Sequence, residues 1–136
     1  MDLVKAMEMA AKGMKAQGQR MKVISENLTN SETTGKTSKD NPYQRQMAIF
    51  KNELNRADGT KEVTVDKITT DKTPFILKYD PSHPAAHEKG YVKYPNVNPL
   101  LEMMDMREAQ RSYEANLGVI EVARSMLMRT IDLLRS

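Results

Sequence analysis

The chain has no cysteine and no tryptophan, and its 136 residues include only six glycines, six prolines and seven aromatic side chains. The missing thiol excludes disulfides, thiolate nucleophiles and cysteine-ligated zinc, and it fits either redox compartment. No apolar run is long enough to span a bilayer. The N-terminal residues also lack the apolar segment of a cleavable signal peptide, so a route out of the cytoplasm would have to be one that reads no such peptide. Charge of one sign does not accumulate either. The net +3 divides into +2 over residues 1–30, +2 over 31–98 and −1 over 99–136. A balance spread in this way says little about partners.

What is present is a pair of heptad stripes, one at each end. The first is Leu3, Met7, Ala10, Met14, Gln17, Met21, Ile24, Leu28, with steps alternating four and three. The second is Met106, Ala109, Tyr113, Asn116, Ile120, Ala123, Leu127, Thr130, Leu134. A seam repeating every 3.5 residues packs along another helix over a long distance. Ten of the eleven methionines lie in these arms, and six of the seven aromatics lie between them. Methionine adapts to irregular partners, so the arms read as contact surfaces and the middle as the place for a small conventional core.

These patterns predict an α+β chain: long N- and C-terminal helices with coiled-coil-like heptads, flanking a small β-rich central module. The expected division is residues 1–30, 31–98 and 99–136, with the two terminal helices together forming one helical domain. The first helix is expected over about Asp2–Leu28, with close helix packing at Gly13 and Gly18 and Asn30 as a left-handed C-cap. Strands are expected within Tyr43–Phe50, Glu62–Thr70, Thr73–Tyr79 and Gly90–Tyr94, with a turn at Asp58-Gly59 and irregular chain over Asp80–Glu88. Residues 51–74 otherwise give little indication of their path. Asn98-Pro99 opens the second helix as cap and first-turn proline.

Apolar residues off the seams, among them Val4, Met9, Met103, Met104, Leu117, Val119, Val122, Met126 and Ile131, widen both stripes. Pairing the arms with each other as an antiparallel hairpin would cover one face only. The reading favoured by the residues is therefore packing within a many-helix assembly, with a compact bundle as the alternative. Gln17 and Asn116 sit at core-type positions, where a polar side chain either sets register or faces solvent.

Constellations for chemistry are weak. His83 and His87 form D-x-x-H-x-x-x-H-E with Asp80 and Glu88, but Pro81 and Pro84 oppose a helix and no third nitrogen or sulfur ligand exists. No metal, cofactor or catalytic residue is assigned. The helices mix both signs of charge and hold few aromatics, which argues against a nucleic-acid binder. The first arm is only weakly cationic for a membrane-surface helix.

The stretch Val23–Gly35, VISENLTNSETTG, resembles the signature of the bacterial flagellar rod and hook axial proteins: a small residue at Ser25, then Asn27-Leu28-small-Asn30, then Thr33-x-Gly35. Thr29 departs from the usual alanine or serine. Pro42–Gln46 with Phe50, Gly90–Asn98, and Glu102, Met103, Met106, Ala109 and Arg111–Asn116 are similar to the proximal-rod members. The resemblance covers about residues 3–50 and 75–134. It implies a non-enzymatic subunit of the basal-body rod, located in the periplasm and exported by the flagellar type III apparatus without cleavage. Implied partners are other proximal and distal rod subunits, the adaptor between rod and MS ring, and the export apparatus. Nucleic acid and direct membrane insertion are not expected. The subunits would build the hollow drive shaft that transmits torque and encloses the export channel. Subunit packing is then expected at Leu3, Met7, Met14, Met21, Ile24, Leu28, Met106, Tyr113, Ile120, Leu127 and Leu134. Asn27 is expected in an inter-subunit contact and Asn30 in capping, while Gly35 allows a positive φ in the loop; the other reading is that these residues merely end a helix. The alternative reading is a helical adaptor that binds a membrane surface or another export substrate.

Overall fold

The structure is a computed structural model and describes residues 2–135; Met1 and Ser136, the outermost residues of the two arms, lie outside the described residues. Its elements are helix α1 (Leu3–Thr29), strands β1 (Gln46–Leu54), β2 (Lys61–Thr70), β3 (Ile76–Tyr79) and β4 (Tyr91–Tyr94), and helix α2 (Pro99–Arg135). The order is the α+β arrangement expected, with two long helices around a short stranded region.

Local chemistry sets the helix ends. Asp2 Oδ1 accepts the Val4 N–H at 3.1 Å, and Asn98 Oδ1 accepts the Leu100 N–H at 3.1 Å, just before Pro99. Both are N-caps that fill donors left open by the first turn. Asn30 does cap α1, but not in the left-handed region. Its φ is −100°, and its side-chain and backbone N–H groups both donate to the Glu26 carbonyl, at 2.8 and 3.0 Å. The carboxamide closes the helix, so no reversal of φ is needed.

The two helices run antiparallel. Gly13 faces Asn116, Arg20 comes within 3.5 Å of Glu108, and Asn27 lies 3.3 Å from Glu102. A Cβ on Gly13 would sit 2.7 Å from Asn116 Nδ2, so the helices meet closely there. Gly18 has no neighbour within 4 Å and makes no such contact, because it lies off the face that α2 covers. Every stripe position from Leu3 to Leu28 and from Met106 to Leu127 is buried or half-buried, whereas Thr130 and Leu134 are exposed. Leu3 and Ala6 at the start of α1 share a groove with Val122, Ala123 and Met126. The last two turns of α2 therefore extend past the start of α1. At 1.5 Å per residue α2 is about 55 Å long and α1 about 40 Å.

The strands form two separate two-stranded antiparallel sheets, β1–β2 and β3–β4. The first is a hairpin with a register shift between Ile49 and Phe50 and a turn that places Gly59 at φ +72°. It lies on α1, with Lys12 ion-paired to the buried Glu62. Residues 51–74 are thus mostly hairpin, with the expected strand at Lys61–Thr70 and the expected turn at Asp58-Gly59. In β3–β4, Val92 is buried, and Ala85, Pro95 and Val97 complete the small core of this region. Tyr79 and Tyr91 pack edge-on at 5.4 Å, and the Lys78 ammonium lies 4.4 Å from the centre of the Tyr94 ring.

Gly35 does not have a positive φ; among the described residues only Gly59 and Gly90 do. Its need for glycine is steric instead. A Cβ there would meet the Asp40 carbonyl oxygen at 2.5 Å. Gly90 has both constraints: φ is +84°, and a Cβ would meet Tyr79 Cε2 at 2.8 Å. Gly90→Ala is expected to destabilise the isolated chain by about 1–3 kcal/mol in chemical denaturation.

Candidate functional site

The most constrained side chain in the molecule is Asn27, which is 1% exposed. It sits near the end of α1, where the chain must leave the helix and later return as β1. Its Oδ1 accepts from the Gln46 N–H at 2.9 Å and from the Tyr43 hydroxyl at 2.8 Å. Its Nδ2 donates to the Gln46 carbonyl at 2.8 Å and to Glu102 Oε2 at 3.3 Å. Gln46 N–H can only donate and its carbonyl can only accept, so the orientation of the amide is fixed. Two donors and two acceptor sites are all that an asparagine side chain has, and here all are used. Asn27 therefore serves its own chain. The expected inter-subunit role fails because no bonding capacity remains for a neighbour.

Glu102 is the second buried member, also 1% exposed. It occupies the first turn of α2, where the helix N-terminus favours an anion. The Arg45 guanidinium donates to it through Nε. Arg45 reaches Asp71 at 3.2 Å and Asp105 at 3.9 Å as well. Burial alone would lower the Arg45 pKa, but Glu102 and then Asp71 outweigh that and leave it above its usual value. Burial raises the Tyr43 pKa, with Glu26 and Glu102 adding to the effect. The Thr73 backbone N–H, at 2.9 Å, holds the Asp71 carboxyl below its ordinary value; burial opposes this, while the Thr73 hydroxyl and Arg45 reinforce it. Asn96 closes the cluster. Its Oδ1 accepts from Arg45 N–H at 2.8 Å, and its Nδ2 donates to the carbonyls of Asp71 and Thr73. Five stretches of chain meet in this junction: the end of α1, residues 43–46, residues 71–73, Asn96 and the start of α2.

Sequence spacing alone does not join Arg45, Asp71, Asn96 and Glu102 into a unit. One signal was available. The second heptad stripe, continued upward by one step from Met106, lands on Glu102, a carboxylate at a core position that needs a buried partner.

Among the expected packing residues, Ile24 is buried inside the chain, Leu134 is exposed, and Leu3, Met7, Met14, Met21, Leu28, Met106, Tyr113, Ile120 and Leu127 are half-buried. Of the signature residues, Ser25 and Thr33 are exposed, and the Thr33 hydroxyl donates to Asn30 Oδ1 at 3.2 Å. Gln17 Oε1 is buried and has no hydrogen-bond partner among the described residues. His83 is structural. Its Nδ1 accepts the Ala85 N–H at 3.0 Å, and its Nε2 lies 3.5 Å from Thr34 Oγ1. Among the described residues no cluster of three His, Asp or Glu is placed to hold a metal. The exposed apolar residues are concentrated on α2: Leu101, Met103, Met104, Leu117, Val119, Val122, Met126, Met128 and Ile131. A long helix with apolar side chains on more than one face has not met all its neighbours.

Residues 7–35 match the family described as flagella basal body rod protein, and residues 88–133 match the C-terminal family of the flagellar basal body rod FlgEFG proteins. The flagellar basal-body rod protein FlgC of Agrobacterium fabrum is 45% identical over 131 residues, covering 96% of this chain and 94% of the relative. The chain belongs to the flagellar basal-body rod protein FlgC family. FlgC of Aquifex aeolicus is 39% identical over 133 residues, with 97% of each chain covered. FlgC of Bacillus subtilis is 36% identical over 143 residues, covering 94% of this chain and 95% of the relative. As a FlgC-family member the protein is a structural rod component of the flagellar basal body and not an enzyme. The first match spans α1 from Met7 onward and its signature, and the second spans β4 and nearly all of α2, so Asn27, Asn96 and Glu102 lie within matched segments while residues 43–46 and 71–73 lie between them.

Asn27→Asp removes two donors and sets a carboxylate against Glu102. It is expected to cost roughly 3–5 kcal/mol in denaturant unfolding, whereas Ser25→Ala on the exposed face should stay within about 0.5 kcal/mol of wild type. The depressed Asp71 pKa has a definite sign. Its stabilisation is fully present above the ordinary carboxylate value and is lost as pH falls through the lower folded-state value. Thermal unfolding followed from neutral to strongly acidic pH should show a steeper acid loss for wild type than for Asp71→Asn.

Proposed function

We propose that this FlgC-family chain is a proximal-rod subunit whose helical hairpin supplies part of the wall of a hollow shaft. The shaft transmits torque and encloses the export channel. Residues 1–30 and 99–136 act together as the axial unit, and residues 31–98 as the outer layer. The neighbours are other rod subunits. At the base of the shaft they include the adaptor that joins rod to MS ring, and before assembly the chain is a substrate of the flagellar type III export apparatus. It reaches the periplasmic side of the basal body without cleavage of a signal peptide.

The observation that carries this reading is the uncovered apolar surface of α2 in a chain that matches FlgC proteins along nearly its whole length. Pairing of α1 with α2 covers one stripe of each helix and leaves Met103, Met104, Val119, Val122 and Met126 exposed. Such a surface suits a subunit that is finished by its neighbours. No helix among the described residues is long and apolar enough to cross a membrane.

Deletion of the gene, followed by imaging of basal bodies, tests the reading. Rods are expected to be absent and motility lost; normal rods would overturn it. Val122→Asp tests the surface separately. Because Val122 is 60% exposed, the variant should unfold within about 0.5 kcal/mol of wild type. It should nevertheless fail to restore rods to the deletion strain.

A further inference from the structure

The β1–β2 hairpin is fastened firmly at one end and lightly along the rest. Its base belongs to the junction. Asn27 holds Gln46, the Asp71 N–H donates to the Arg45 carbonyl at 2.7 Å, and the Arg45 guanidinium reaches the Asp71 carboxylate at 3.2 Å. Between base and tip the ladder has one irregularity. Ile49 pairs with Lys67 and Phe50 with Val65, so Asp66 is left over. An extra residue of this kind bends its strand and disrupts the pairing locally.

Beyond it, residues 51–65 lie along α1 with little to hold them. Among the described residues, Lys12–Glu62 is the one hydrogen bond and ion pair between this segment and the helix. Glu62 is buried, and the partly exposed Lys12 ammonium is the only partner of its carboxylate. Two residues on, Thr64 Oγ1 is buried with no hydrogen-bond partner among the described residues. Closure on α1 therefore takes a carboxylate and a hydroxyl out of water and returns a single ion pair. The apolar gain is small as well. The helix beneath offers Ala6, Ala10, Gly13 and Ala16, and two clefts of about 330 and 270 Å³, both lined by Glu62, remain under the strand.

We propose that residues 51–65 form a strap that lifts from α1 as one piece, hinged at the Ile49/Phe50 register shift and latched by Lys12 on Glu62. The bonds between β1 and β2 do not involve the helix, so the ladder stays intact as the strap moves. Lifting returns Glu62 and Thr64 to water. It also uncovers Ala6, Met9 and Ala10 of α1 and frees Val119 of α2, which line the larger cleft with Lys61 and Val63. The latch thus sets whether this side of the helical pair is covered or open to contact. The device belongs to the free chain and holds independently of the rod-subunit reading.

The absence of native cysteine suits a distance measurement by double electron–electron resonance on the purified full-length chain. Spin labels at Ala11→Cys on α1 and Arg56→Cys in the turn report the strap. Labels at Ala11→Cys and Lys67→Cys, on the near side of the shift, report the base. With no further change, a short tip distance should dominate. Lys12→Met leaves the Glu62 carboxylate buried without a partner. It should raise the long-distance tip population by about tenfold or more, while the base distance and the helical circular dichroism stay as they were. Adding Thr64→Val, which removes the unpartnered hydroxyl, should return part of that population to the short distance. Salt at about 1 M tests the latch without a substitution at Lys12, because the exposed ammonium is screened, and it should also raise the long population. A tip distribution unchanged by both Lys12→Met and salt would overturn the proposal. So would a base distance that lengthens together with the tip, since the whole hairpin would then be leaving the helix.

Discussion

Gln46 opens β1 at the place where the chain has just left the loop after α1, and its backbone N–H and carbonyl point at a helix. A helix has no free backbone groups along its side to answer them. The Asn27 carboxamide does so, offering one acceptor and one donor in the geometry of a missing strand. Buried backbone groups without partners are costly. The first strand can therefore lie against α1 only because an amide of the right length is present in the last turn of the helix. Tyr43 and Glu102 use the remaining capacity of that amide and tie the loop and α2 into the same point.

The consequence reaches the far end of the molecule. The junction holds α1 and α2 together at one end only, through Asn27, Glu102 and Arg45, with Arg20 bridging to Asp105 and Glu108 one to two turns further on. From there the pairing depends on the seam, where Ala10, Ala109 and Ala123 are buried and Gly13 meets Asn116. Small residues bring the helices close and return little area. Larger apolar side chains were left for the outer faces. That division suits a FlgC-family subunit: a polar joint fixes the relation of the helices, and the material for hydrophobic contact remains available to neighbours.

The helices were readable from periodicity and caps, and their ends agree with the chemistry of Asp2, Asn30, Asn98 and Pro99. The strands were readable from β-branched runs, although β1 continues to Leu54 through Lys51, Asn52 and Glu53, which carry no strand signal of their own. Their pairing with residues 62–64 makes that segment a strand. The junction was less legible. Asn27 stands out in the signature, but periodicity cannot tell an amide turned toward its own chain from one turned toward a neighbour; the answer depends on where residues 43–46 return. Gly35 and Gly90 show the same limit. Each is a glycine in a loop, yet one avoids a carbonyl and the other needs its positive φ.

The central claim is that a buried asparagine amide, and not a strand, holds the Gln46 backbone and with it the relation of the two helices. Amide hydrogen exchange of Gln46 in the full-length chain measures this directly. The account predicts that Gln46 exchanges only through global unfolding in wild type, and at least tenfold faster relative to the mid-strand amides of β2 in Asn27→Ala. A Gln46 amide that exchanges in wild type as fast as those of the Asn55–Thr60 turn would contradict it.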